Sequence, residues 1–264
     1  MASSLRRAGA LTCWGNSYLG GGSSLDDAVA GSVGTDPLHR VVGVPLEGEP
    51  VSLAVALGRL RAQGVTALRL VLPEAGDLTG LPGPAALSAS ALVAGAVIVT
   101  IAPLQQGACA LLPTLVELPQ GAVVRWDVVE ANMSFPPYGL PTLSEADRAL
   151  TEMVAETAAT MAALDVARGS GDITSRLASL DRELRALDLP PSLPGRAQRL
   201  IASATRLLGV LAIAVESEGG AITANEAERR LQALRPLRAA ARYALCAAYS
   251  AEAEPEPERH VRHR

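Results

Sequence analysis

Two carboxylates, Glu74 and Asp77, follow closely on an apolar run, Ala67-Leu-Arg-Leu-Val-Leu72, that is stopped by Pro73. The run reads as a strand, and the loop past a strand's C-terminal end is where α/β folds gather their ligand sites. Two acids in that position suit general acid–base chemistry or the binding of a hard cation through oxygen. Either use requires a pocket, with Arg69, Arg125 or His39 brought beside the acids by the fold. Glu74, Asp77, Arg69 and Arg125 are therefore the candidate ligand-binding residues. The preferred reading of the acids is plainer: Asp77 bonds its own backbone and shapes a turn within Gly76-Asp-Leu-Thr-Gly-Leu-Pro-Gly-Pro84.

Other chemistry is scarce. His39 is the only histidine outside the C-terminal tail, and without a Gly-x-Ser-x-Gly elbow it has no nucleophile to serve; a surface or strand-start position is expected for it. His260 and His263 could share a metal only if the tail became helical, so no catalytic residue, metal site or cofactor is predicted. The chain contains no lysine, which excludes a Schiff-base lysine, a Walker A lysine and a kinase-type lysine together. Arg196, Arg199 and Arg206, and the set Arg229, Arg230, Arg235, Arg238 and Arg242, form basic stripes at helical spacing. Their half of the chain is electrically neutral and the whole carries a net charge of −4, so these read as solvated faces and no nucleic-acid partner is expected. Cys13, Cys109 and Cys246 are odd in number and far apart, which suggests neither a disulfide framework nor a zinc site. Reduced thiols and a cytoplasmic location follow as expectations, and the apolar run after Arg6-Arg7 is too short for a signal-peptide core. Asn132-Met-Ser134 matches a glycosylation sequon, which has no meaning in a cytoplasmic chain.

The elements that must position these residues are legible in outline. Hydrophobic residues make up 49% of the 264 residues and aromatics only 3%, so the core is built from Leu, Val and Ala, which suits closely packed helices. Residues 1–36, with the run Gly20-Gly21-Gly22-Ser23-Ser24, show no sustained periodicity and read as a disordered or mis-assigned N-terminus, the glycines as linker. Strands are expected at Arg40–Pro45, Ala67–Leu72, Ala96–Ala102 and Gly121–Glu130. Cys109–Leu118 is a poorer candidate, placed at an edge because Pro113 interrupts it. One helix runs from about Pro50 to Gly64, and another covers Ala85–Ala94. The stretch Leu78–Val116 has no ionised side chain and reads as the buried middle of the fold. Its eighteen-residue core, Ala85–Ala102, is bracketed by prolines and ends in a β-branched run, so a helix and strand are preferred to a membrane span.

Four prolines and glycines in Asn132–Pro141 mark a boundary. Beyond it the helical repeat takes over, opened by the capping-box spacing Thr142–Glu145 and carried by Leu143, Ala146, Leu150, Met153, Thr157, Met161 and Leu164. Further helices start near Ile173, Pro194 and Thr223, the last split or kinked at Pro236. The fold class is thus α+β: a small α/β layer of four or five strands over 37–135, followed by an antiparallel four-helix bundle over 136–251. The alternation of Glu with Pro makes 252–264 a disordered tail.

The Gly76–Pro84 loop and the helical C-terminal half together resemble a group of uncharacterised proteins from high-GC actinobacteria, an origin with which the all-arginine basic set agrees. The resemblance covers roughly residues 38–250, and it implies a shared fold and no activity, cofactor or site residue. A non-enzymatic interaction or scaffold protein, docking through the bundle, is the expected function. The alternative is a small-molecule-binding protein or enzyme with its site at the Glu74–Pro84 loop.

Overall fold

A computed structural model describes residues 3–43, 49–102, 108–131, 140–163, 172–216 and 224–252. Two helices, α1 (Ser3–Leu19) and α2 (Leu25–Val33), lead into strand β1 (Leu38–Gly43), the two-residue strand β2 (Val51–Ser52) and helix α3 (Leu53–Ala62). There follow β3 (Ala67–Val71), α4 (Ala85–Ala94), β4 (Val97–Ile101) and the hairpin β5 (Ala108–Leu118) and β6 (Gly121–Ala131). Four helices close the described chain: α5 (Leu143–Ala163), α6 (Asp172–Arg185), α7 (Gly195–Glu216) and α8 (Ala224–Tyr249). The protein is a mixed α+β fold.

The strands form one sheet of six in the order β2-β1-β6-β5-β4-β3. All neighbours are antiparallel except β1 and β6, which run parallel with Leu38 opposite Val123 and Val41 opposite Trp126. The count exceeds the expected four or five because β2, only two residues long, is too short to leave a pattern in sequence. β5 is interior, not the edge strand that Pro113 suggested. β4 pairs with β5 only at Ile98–Leu111 and Val99–Ala110, so Pro113 lies just beyond the start of β4. The proline therefore falls where β5 has only β6 beside it, and its missing N–H breaks no ladder.

Alternation along β1 and β6 sends His39, Val41, Val124, Trp126 and Val128 to one face. There they join a large core with residues of α1, α2, α3, α5, α7 and α8, so the sheet and the C-terminal helices share one interior. On the other face a smaller cluster, including Val71, Val97, Val99, Ala110 and Leu112, is covered by Leu87 and Ala91 of α4. Among the C-terminal helices, α5 packs on α8 and α7, and α7 on α8 and α6; α8 also lies against β3 and α1. α8 continues through Pro236 as one helix, so the expected kink or split does not take the form of a split. The capping box is present: the Thr142 backbone N–H donates to Glu145 Oε2 at 2.9 Å and the Glu145 N–H donates to Thr142 Oγ1 at 3.4 Å.

Of residues 1–36, expected to be disordered, the described part from Ser3 onward forms the helices α1 and α2. α1 buries Leu5, Arg7, Ala8, Gly9, Leu11, Thr12, Cys13, Trp14, Gly15, Asn16 and Ser17, positions on every side of the helix. A helix enclosed all round has no polar stripe, so it carries no 3.6-residue signal. The glycine run after it caps the helix instead of linking: Gly22 N–H donates to Ser17 O at 2.7 Å, Gly21 N–H to Tyr18 O at 3.1 Å, and Gly21 adopts φ +80°. This is the Schellman arrangement, which only a residue tolerating left-handed backbone closes cheaply. Ser24 then caps α2 through the Asp27 N–H.

α1 is fixed to the sheet by Asn16. Its side chain donates from Nδ2 to Leu68 O at 2.9 Å and accepts at Oδ1 from Leu68 N–H at 2.6 Å. Replacing Asn16 with Leu, close in size, leaves that buried N–H and C=O without partners at a cost of about 2–4 kcal/mol. Urea unfolding should show the midpoint falling accordingly; a loss below about 0.5 kcal/mol would show that the sheet edge does not depend on Asn16.

Candidate functional site

The strand that leads to Glu74 and Asp77 is β3, at one end of the sheet. An edge strand presents backbone donors and acceptors with no strand to take them. Here side chains take them at alternate residues. Asn16 of α1 holds Leu68, Ser250 Oγ accepts from Leu70 N–H at 2.9 Å, and Arg242 Nε of α8 donates to Leu72 O at 3.0 Å.

Beyond Leu72 the two acids form the turn that their spacing suggests. Glu74 N–H donates to Asp77 O and Asp77 N–H to Glu74 O, both at 2.9 Å, and Gly76 takes φ +87°. Asp77 Oδ1 also accepts from Thr79 N–H at 3.2 Å. The carboxylates themselves are taken by α8. Arg242 is only 7% exposed and donates from Nη1 to Glu74 Oε2 at 2.9 Å and from Nη2 to Asp77 Oδ2 at 2.8 Å. Arg238, one turn earlier, meets Glu74 Oε1 at 2.7 Å, and the Tyr243 hydroxyl donates to Asp77 at 2.8 Å. Burial raises the Asp77 carboxyl, and the hydrogen bonds from Arg242, Tyr243 and Thr79 outweigh it, holding it at about 2. A carboxylate so fully paired is a poor base at neutral pH and has little left with which to hold a cation. The cluster cross-links β3 to α8.

The other predicted residues lie elsewhere. Arg125, 58% exposed, pairs on the surface with Asp127 at 2.7 Å. His39 does stand at a strand start, but it is buried. Its Nε2 lies 3.2 Å from Asp36 Oδ2, and Trp126 Nε1–H donates to its Nδ1 at 3.4 Å. That contact makes Nδ1 the acceptor and places the proton on Nε2, facing Asp36. Asp36 is held by Arg7 through two bonds, Nε–Oδ2 at 2.6 Å and Nη2–Oδ1 at 2.7 Å, and accepts from Ala122 N–H at 2.8 Å. Burial raises the Asp36 carboxyl and these partners outweigh it, pulling it down to about 2. Burial lowers His39, against the pull of Asp36. Both imidazole nitrogens are occupied, so the group ties α1 to β1 and β6. Gly121 has φ +137°, and a side chain there would meet Asp36 Oδ1 and Thr35 O at 2.9 Å, so the hairpin can approach only as glycine.

Arg69 is the predicted residue that reaches a concavity. It lines a cavity of about 490 Å³ together with Thr66 and Ile101 of the neighbouring strand ends, Asn16, Leu143 and Ser250. Glu74 and Asp77 are not part of that lining. All three cysteines are buried and free; burial pushes the thiols of Cys13 and Cys246 up to about 12, leaving them as small apolar groups. Among the described residues no three acidic, histidine or cysteine side chains converge as a metal site, and no helix is long and apolar enough to cross a membrane. His260, His263, Asn132–Ser134 and the side chains of Arg229 and Arg230 fall outside the described residues.

Sequence reasoning placed Arg238 and Arg242 on a solvated stripe, whereas both serve Glu74, and Arg196 and Arg206 pair with Asp147 and Asp181. The available signal was complementary spacing: arginines four apart on a helix facing acids three apart in a turn. Asn16, Asp36, Tyr243 and Ser250 left no comparable mark, because each works on backbone or on a partner far away in sequence.

Family models described as the N-terminal and C-terminal domains of an Rv1486c-like protein match residues 8–142 and 144–246. Two proteins of Mycobacterium tuberculosis, uncharacterized protein MT1533 of strain CDC 1551 / Oshkosh and uncharacterized protein Rv1486c of strain ATCC 25618 / H37Rv, are each 27% identical over 285 residues. Each match covers 91% of this chain and 95% of the relative. The actinobacterial resemblance carried by the Gly76–Pro84 loop and the helical half is therefore real, and it reaches further toward the N-terminus than residue 38. No solved structure matches.

Replacing Arg242 with Met keeps its apolar stem and leaves Leu72 O, Glu74 and Asp77 short of a partner, with an expected loss of about 3 kcal/mol. Arg238→Ala, at an exposed pair, should cost no more than about 0.5 kcal/mol. Because Asp77 titrates below its unfolded value of about 4, its contribution is present above pH 4 and is lost as pH falls toward 2. Denaturant melts between pH 5 and 2 should show that loss in the native chain, shared with Asp36, and a shallower decline in Arg242→Met. Equal slopes would remove Arg242 as the cause.

Proposed function

The chain belongs to the Rv1486c-like protein family, and we propose that it serves as a non-enzymatic interaction protein whose docking surface is the outer face of its sheet. The reading is carried by an apolar row across three adjacent strands: Leu38 of β1, Val123 of β6 and Val116 of β5 stand in register. Leu38 is 39% exposed and Val116 59%, and Leu118, two residues on, is 45% exposed. A large apolar side chain left in water once is ordinary, whereas several aligned on one face are characteristic of contact surfaces.

The uncharged helix α4 supports the same reading. Only Leu87 and Ala91 of α4 are buried, while Leu92 is 39% and Val93 91% exposed. The stretch read from sequence as a buried middle is thus buried at β4 and exposed along the outer side of α4. On the C-terminal helices the large apolar side chains exposed among the described residues are Val154 and Val210, one on each of two helices. Apolar surface therefore favours the sheet over the helical bundle as the docking face. The alternative of a small-molecule site at the Glu74–Pro84 loop has less support, since α8 engages both acids of that loop.

The test is co-purification from an extract of the organism that encodes the chain. Val116→Asp with Leu118→Asp should reduce recovery of the bound partner at least tenfold while stability stays within about 0.5 kcal/mol, as usual for exposed positions. Val154→Asp with Val210→Asp should leave recovery unchanged. A partner retained by the first pair, or no partner captured by the native chain, overturns the proposal.

A further inference from the structure

We propose that the cavity at the free edge of β3 binds a small, singly charged carboxylate with an apolar body, and that Arg69 receives its head group. The site is separate from the outer sheet face and independent of the interaction proposed for it.

The cavity holds about 490 Å³, within the range of small-molecule sites. It opens where the start of β3 and the end of β4 meet the ends of α1 and α8 and the start of α5. Its wall is mixed in a way that selects. Ile101, Leu140, Leu143 and Ala247 supply apolar surface. Most of the polar groups are already engaged. Asn16 and Ser250 are bonded to the backbone of Leu68 and Leu70, the Thr66 hydroxyl donates to Ile101 O at 3.3 Å, and Thr142 is held in its capping box. None of these has its main bonding capacity left for a ligand.

Arg69 differs. It is partly buried, and among the described residues no carboxylate or carbonyl takes its guanidinium. Arg7, Arg125, Arg196, Arg206, Arg238 and Arg242 all meet an acid within the chain, and Arg40 and Arg59, which meet none among the described residues, are exposed where Arg69 is partly buried. A partly desolvated guanidinium without an anion is unfavourable, and its planar fork fits a carboxylate through two parallel hydrogen bonds. An anion entering the cavity therefore replaces solvent on Arg69 without displacing a carboxylate or carbonyl of the described residues. Glu252 stands on the same lining and repels a second negative charge, which favours a monoanion over a phosphate or a dicarboxylate. The apolar part of the wall takes the remainder of the molecule.

Three probes with one chain and different heads test this: hexanoate, hexanol and hexylamine, titrated into the full chain by calorimetry. Hexanoate should bind at least tenfold more tightly than hexanol, and hexylamine more weakly than either. Arg69→Gln should bring hexanoate to within about twofold of hexanol while hexanol itself is unchanged, which also reports that the cavity is intact. Glu252→Gln should move hexanoate in the opposite direction, tightening it about threefold. The proposal is overturned if hexanoate binds no better than hexanol to the native chain, or if Arg69→Gln keeps the preference. It is equally overturned if hexylamine is the tightest of the three, which would assign the cavity to Glu252. None of these changes touches the sheet row of Val116 and Leu118, so loss of partner capture and loss of hexanoate binding remain separable.

Discussion

The free edge of β3 is the constraint around which the fold is arranged. A sheet that ends in an uncovered strand invites another strand to pair with it. This chain prevents that with helices laid along the edge and with polar side chains aimed at the exposed backbone groups. Leu68, Leu70 and Leu72 are served by Asn16, Ser250 and Arg242, which come from the beginning and the end of the sequence. The strand cannot be buried without both termini of the described chain in place. That is why residues which look dispensable in sequence are among the most enclosed in the structure.

α1 makes this closure possible because it fastens at both ends. Arg7 reaches Asp36, which also takes the backbone N–H of Ala122, the second residue of β6, and Asn16 reaches β3. Nine residues of helix rise about 14 Å, and the three strand spacings from β6 to β3 amount to about 14 Å. The helix therefore spans the sheet between two polar anchors. Close approach needs small residues between them: a side chain on Gly9 would meet the Tyr249 ring at 2.8 Å and one on Gly15 would meet Leu68 at 2.5 Å. The scarcity of aromatics follows from the same geometry, since a core of Leu, Val, Ala and Gly lets helix and sheet backbones come near.

The acids that first suggested chemistry belong to the same device. Glu74 and Asp77 extend the β3 edge by one turn and receive Arg242, the residue that also covers Leu72. A surface stripe and an acid pair were each legible, and their meeting was not, because nothing local in α8 records which turn lies opposite it. Arg69, on the same strand, is left facing a cavity. The difference between the two positions is what the fold sets across from each, helix α8 or open space.

Local physics was enough for those parts of the chain with a period or a cap. The strands at Ala67–Val71, Val97–Ile101 and Gly121–Ala131, the helix Ala85–Ala94 ended by a left-handed Gly95, and the Thr142–Glu145 box were readable to within a residue or two. Each such signal arises between residues a few positions apart. The sequence by itself thus determined the α+β class, the turn at Glu74–Asp77 and the absence of any lysine chemistry. Only the tertiary structure decided that α1 is enclosed in the core, that the strand carrying Pro113 is interior to the sheet, and that the acids meet arginines about 165 residues away in sequence. Those outcomes depend on contacts made from all sides or at long range, which leave no repeat along the chain for a reader to find.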